Sequence, residues 1–135
     1  MPEQKTLRRA HEDEREGKVP STQAGEFVRE EMHHIREGKH GARSPQQAIA
    51  IGLSKARRAG VKLPPPARGK AKGSTRRQAQ RDYSKGRTAP NRKPNPKRSR
   101  ATTRALKRER HSSAGHRALS RQARSAARRR AGRRV

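Results

Sequence analysis

The chain contains no cysteine and no tryptophan, with one phenylalanine and one tyrosine. Without cysteine there are no disulfide staples, no thiol catalysis and no thiolate-ligated zinc. The scarcity of aromatic rings argues against readers of single-stranded nucleic acid, which stack bases on aromatic platforms. Acidic residues are also scarce: 11 Asp and Glu face 38 Lys and Arg in 135 residues, a formal net charge of +27. Long apolar runs are missing too. The longest, Ala48-Ile49-Ala50-Ile51-Gly52-Leu53, is far too short to span a bilayer. The opening MPEQKTLRRAHEDE has no apolar export segment, so no membrane partner and a cytoplasmic location are expected. With 26% hydrophobic residues, such a chain cannot bury enough apolar surface to order all of itself. One small folded unit is expected.

The charge is unevenly placed. Residues 1–66 carry 13 basic and 9 acidic side chains (+4), whereas residues 67–135 carry 25 and 2 (+23). Pro64-Pro65-Pro66 marks the change, and three prolines in a row favour an extended, semi-rigid spacer. The expected architecture is mostly α, a small helical hairpin of two to three helices followed by a largely disordered basic tail. Its parts are a mixed-charge segment over 1–20, a hairpin over 21–66 and the tail over 67–135.

Within the hairpin, ARSPQQAIAIGLSKARRAG has the punctuation of a helix over 45–59. Ser44 is suited to be its N-cap, Pro45 its first residue and Gln47 the return partner of a capping box. Gly60 suits a left-handed helix end, with Val61 folding back on Ala56. Ala48, Gly52 and Ala56 share a face and leave room for a second helix; Ile51 points away from it. The second helix is STQAGEFVREEMHHIREG, capped by Ser21 or Thr22 and stopped at Gly38. Ala24, Phe27, Val28, Met32 and Ile35 form its apolar stripe, with Glu26, Glu30 and Glu37 on the solvated side. A short helix at 4–16 braces the pair. So thin a stripe is expected to need that brace, a partner or self-association.

The stretch from Ser21 to Pro66, above all the run Lys39–Pro66 with its QAIAI, Ser and ARRAG elements, resembles a family of small basic bacterial proteins. These carry a domain of unknown function followed by a Lys/Arg-rich extension. The resemblance implies a bacterial cytoplasm and carries over no catalytic or ligand residue.

Beyond Ala67 apolar periodicity fades, and APNRKPNPKRSR should be extended. Arg104-Ala105-Leu106-Lys107-Arg108 is echoed by Arg117-Ala118-Leu119-Ser120-Arg121. Like charges at i,i+3 and i,i+4 oppose a helix over 99–131 in free solution, and a polyanion would remove that penalty. The cations expected to take phosphate begin with Arg76, Arg77, Arg92, Lys93, Lys97 and Arg98. Arg100, Arg104, Lys107 and Arg108 follow, and then Arg117, Arg121, Arg124, Arg128, Arg129, Arg130, Arg133 and Arg134. Arginine favours bidentate phosphate contacts. Lys39 and Arg43 flank a capped helix start where an anion could sit, although the Walker spacing is absent.

His33, His34 and His40 raise a metal reading that their directions on the helix and in the loop do not support, so no metal and no cofactor are expected. Glu30 and Glu31 read as a solvated helix face rather than an acid/base pair, and Glu26, Glu30 and Glu37 as a resting place for the basic tail. The function expected is that of a sequence-nonspecific, nucleoid-associated DNA-binding protein and not an enzyme. Alternatives are an RNA- or ribosome-associated protein, or a protein-interaction module with an accessory basic tail.

Overall fold

The computed structural model describes residues 2–90 and 93–133. In chain order the helices are α1 (Gln4–Arg15), α2 (Pro20–Arg36), α3 (Pro45–Arg58), α4 (Gly73–Thr88), α5 (Pro96–Lys107) and α6 (His116–Arg133). A short 3-10 turn, Ser112–Ala114, precedes α6, and no strand occurs among the described residues. The mostly helical class is as expected, but the helices outnumber the two to three foreseen, and the tail is not disordered.

The three N-terminal helices all end on glycine. Gly17, Gly38 and Gly60 have φ of 76°, 79° and 106°, where a Cβ is unwelcome. At each, two backbone bonds close the turn; Val61 N–H donates to Ala56 O and Gly60 N–H to Arg57 O. At the start of α3, Ser44 Oγ accepts from Gln47 N–H at 3.2 Å. Gln47 Oε1 reaches back one residue further than a simple box, accepting from Arg43 N–H at 2.6 Å. The other start differs from expectation: α2 begins at Pro20 with Val19 as N-cap, and neither Ser21 nor Thr22 caps it. A proline at the first position needs no donor partner there.

The hairpin of α2 and α3 is as close as its small residues suggested. A Cβ on Gly52 would lie 2.7 Å from the Val28 Cα. Two apolar clusters fill the space. One joins Ala10, Ala24, Phe27, Ala56 and Val61, with Leu7, Leu53, Ala59 and Leu63 packed around them. The other joins Met32, Ile35, Ala42, Ala48 and Ala114, with Val28, Ile49 and Leu119 around them. Ala114 and Leu119 come from the cationic half. The chain therefore covers its own hairpin, with α1 on one flank and the 3-10 turn and α6 on another.

Nor does the proline run separate two bodies. Arg57, buried, donates to Leu63 O and Pro64 O, and Arg76 Nε donates to Pro66 O. Helix α4 then packs back on α3 through Ala79, Asp82 and Gly86. Asp82, 1% exposed, accepts from Ser54 Oγ at 2.8 Å and from Gln78 Nε2 at 3.1 Å, with Arg58 Nε at 3.9 Å. Gly86 lies against the Arg57 carbonyl with no room for a side chain.

The segment read as extended is partly helical for a local reason. Asn95 caps α5, accepting from Lys97 N–H and Arg98 N–H, and Pro96 is its first residue. This repeats the Ser44-Pro45 arrangement of α3. Each like-charge pair costs a few tenths of a kcal/mol, which the high helix propensity of Ala, Arg, Lys and Gln offsets. Helix α5 packs on no other helix among the described residues. Its end is held by backbone instead, with Gly41 N–H donating to Leu106 O at 2.8 Å and Ala42 N–H to Arg110 O at 2.9 Å. No described helix is long and apolar enough to cross a membrane.

Candidate nucleic-acid interface

The loop between α2 and α3 and the segment after α5 are pinned together, and the pinning creates a basic depression. Arg110 donates from Nε and Nη2 to the Arg43 carbonyl at 3.4 and 3.1 Å. The starts of α3 and α6 open on the same side. Between them lies an open depression of about 640 Å³, lined by Arg43, Ser44, Arg110, Ser113, His116, Arg117 and Arg121 among others. The backbone N–H groups at the start of α6 and four guanidinium groups thus share one rim, an arrangement suited to an oxyanion. Ser113, in the wall, is 3% exposed, and its buried Oγ has no hydrogen-bond partner.

From this depression a row of cations runs along α6. Arg117, Arg121, Arg124 and Arg128 fall at helical spacing on one side, all exposed. Arg129 and Arg130 are exposed on the turns beside them. On α5, Arg100, Arg104 and Lys107 line a second shallow groove of about 290 Å³ with Ser99 and Thr103. Lys93, Lys97, Arg98 and Arg108 are exposed near that helix, as is Arg77 on α4. Among the described residues, no carboxylate comes within ion-pair distance of any of these cations. Arg76 differs, being held on the Pro66 carbonyl. Arg92 and Arg134 lie outside the described residues, and Arg133 is the last residue of α6.

Lys39 and Arg43, paired in the sequence reading, part company. Arg43 enters the depression, whereas Lys39 faces Glu3 at 3.7 Å and Glu37 at 3.4 Å on another side. The acids of α2 are not where they were expected either. Glu30 and Glu31 are buried, not solvated. Glu30 Oε1 accepts from Glu3 N–H at 2.6 Å and from Thr6 Oγ at 3.0 Å, so it anchors α1. Glu31 Oε1 accepts from Lys55 Nζ and ties α2 to α3. Glu26 pairs with Arg29 in its own helix and Glu37 with Lys39, so none of these acids holds a cation from beyond residue 66. The His34 imidazole, hydrogen bonded to Glu3 at 2.9 Å, holds the Glu3 carboxyl below its ordinary value. Burial lowers the pKa of the Arg57 guanidinium, and Asp82 opposes that shift.

Two contributors escaped the sequence reading, Arg110 and Ser113. Their signal was faint: neither lies in an α-helix, and the fold alone brings them to Arg43. A family of unknown function (DUF6496) is similar to this chain over residues 19–67. That span takes in α2, α3, the glycine turn at Gly60 and the proline run. No curated protein and no solved structure matches the chain.

Proposed function

We propose that the protein binds nucleic acid without sequence preference, with the duplex DNA of a bacterial nucleoid as its target, and is not an enzyme. The observation that carries this reading is the depression where Arg43, Arg110, Arg117 and Arg121 meet the starts of α3 and α6 around an unpartnered Ser113 hydroxyl. It would seat one backbone phosphate, and the row along α6 would take those that follow. Because the row is already helical, the cations are spaced before the polyanion arrives, which lowers the ordering cost of binding. Each phosphate neutralised releases condensed counterions, so the grip should be strong in low salt and nearly blind to base sequence.

The test is fluorescence anisotropy of the full chain with random duplex DNA between about 50 and 300 mM salt. A slope of log K against log salt steeper than about −6 is expected. Replacing Arg43, Arg117 and Arg121 together by Gln should make the slope shallower by about 1, at nearly 0.9 for the one phosphate seated there. Arg110 is left in place because it also holds the Arg43 carbonyl. A slope near zero, or one unmoved by the triple variant, would overturn the reading. Ribosomal RNA outcompeting duplex DNA at equal phosphate would replace DNA by RNA as the target.

A further inference from the structure

The fold gathers the side chains of Glu3, Glu30, Glu31, His34 and His40 beside the turn between α2 and α3. Glu31 and His34 lie three residues apart on one face of α2. The glycine turn at Gly38, closed by Lys39 N–H donating to His34 O, returns the chain so that His40 comes over the same face. One ligating atom from each of Glu31, His34 and His40 falls within 4.8 Å of the others, and the same holds for Glu3, Glu30 and His34. The setting is enclosed: the Glu31 side chain is 1% exposed, that of His40 12% and that of His34 14%.

We propose that Glu31, His34 and His40 bind a divalent transition-metal ion of the zinc class, with Glu3 or water completing the shell.

Three observations carry this. First, His40 Nδ1 lies 2.9 Å from the Gly41 carbonyl, which can only accept, so Nδ1 carries the proton and Nε2 turns toward Glu31. A histidine oriented by a backbone carbonyl in this way presents its other nitrogen as a fixed ligand. His40 Nε2 and Glu31 Oε2 face each other at 3.2 Å, a pairing that either a proton on Nε2 or a shared metal ion satisfies. Second, Glu30 Oε2 is buried and has no hydrogen-bond partner, a demand for positive charge that Lys55 Nζ at 3.8 Å does not fully meet. Third, the cluster sets three carboxylates, Glu3, Glu30 and Glu31, against two ammonium groups, Lys39 and Lys55. It is a locally acidic pocket in a chain of net charge +27.

The ligand set selects the ion. Two imidazole nitrogens and a carboxylate suit zinc and its neighbours, whereas magnesium and calcium prefer oxygen alone. Tetrahedral zinc holds its ligands at about 2.0–2.2 Å, and so about 3.4 Å from one another. Lys55 keeps Glu31 Oε1 and leaves Oε2 for the ion.

The test uses the unmodified full chain at neutral pH, with zinc partitioned against a chromophoric chelator. One equivalent should be taken up, and cobalt should give the visible absorption of a four- or five-coordinate site. His34→Ala and His40→Ala should each weaken zinc binding by more than about tenfold. His33→Ala, on the exposed side of α2, should leave it unchanged. Circular dichroism checks that the variants keep their helices. A readout free of variants is the long-range nitrogen-15 spectrum of the imidazoles: zinc should shift His34 and His40 and leave His11, His33, His111 and His116 in place. No uptake would mean that Glu31 and His40 form an ion pair only. Uptake without shifts at His34 and His40, or with equal loss in all three variants, would also overturn the proposal.

Discussion

At the scale of single residues, glycines decide how closely this chain can fold, and they do so in opposite senses. Gly52 faces Val28 Cα, and Gly86 faces the Arg57 carbonyl; an added methyl has nowhere to go at either. Gly52→Ala and Gly86→Ala should each cost about 1–3 kcal/mol despite the helix propensity gained. Gly25, exposed in α2 with open space around it, should show the reverse. Gly25→Ala is expected to add about 0.5–1 kcal/mol, all three being read from urea or thermal unfolding. Asp82 is the other decisive residue. Asp82→Ala strands the Ser54 hydroxyl and removes the counter-charge of Arg58, and should cost about 1–3 kcal/mol in the same measurement. The role of Gly52 was legible in the sequence because Ala48, Gly52 and Ala56 share a helical face. That of Asp82 was hidden, since a lone acid among arginines looks solvated until a second helix is known to cover it.

Whole helices show where local grammar sufficed and where it did not. Helices α1 and α3 lie close to where the sequence puts them because caps, proline and glycine all act within a few residues. Asn95-Pro96 follows the same grammar as Ser44-Pro45, but the surrounding prolines and bases masked it. Asn95→Ala should therefore lower the helicity of α5 by removing two capping bonds, at a cost of about 1 kcal/mol, visible by circular dichroism. Helix α4 was missed for another reason: its packing face is Ala79, Asp82 and Gly86, which carries almost no hydrophobic signal. Of the basic depression, Arg43 beside a capped helix start and the cations Arg117 and Arg121 were legible one by one, but not their meeting. Its other walls come from residues more than sixty positions away, beyond the reach of any local pattern.

For the molecule as a whole, the cationic half serves two ends. Ala114 and Leu119 complete an apolar cluster begun by α2 and α3, while the arginines around them stay free of carboxylate partners. Leu119→Ala should accordingly lower both the thermal midpoint and the nucleic-acid affinity, by about 2 kcal/mol in stability for a half-buried leucine. A variant that lost affinity with its midpoint unchanged would show that the two ends are not linked. The clasp between residues 41–43 and 106–110 joins positions 67 apart in sequence. Closing so long a loop must wait until the contacts among α1, α2 and α3 have formed, because its entropy is repaid only by the few bonds made at the end. The molecule should thus assemble in order, hairpin first and C-terminal helix last, and open in reverse. Amides of α6 would then exchange with solvent through a partial opening that leaves those of α2 and α3 protected.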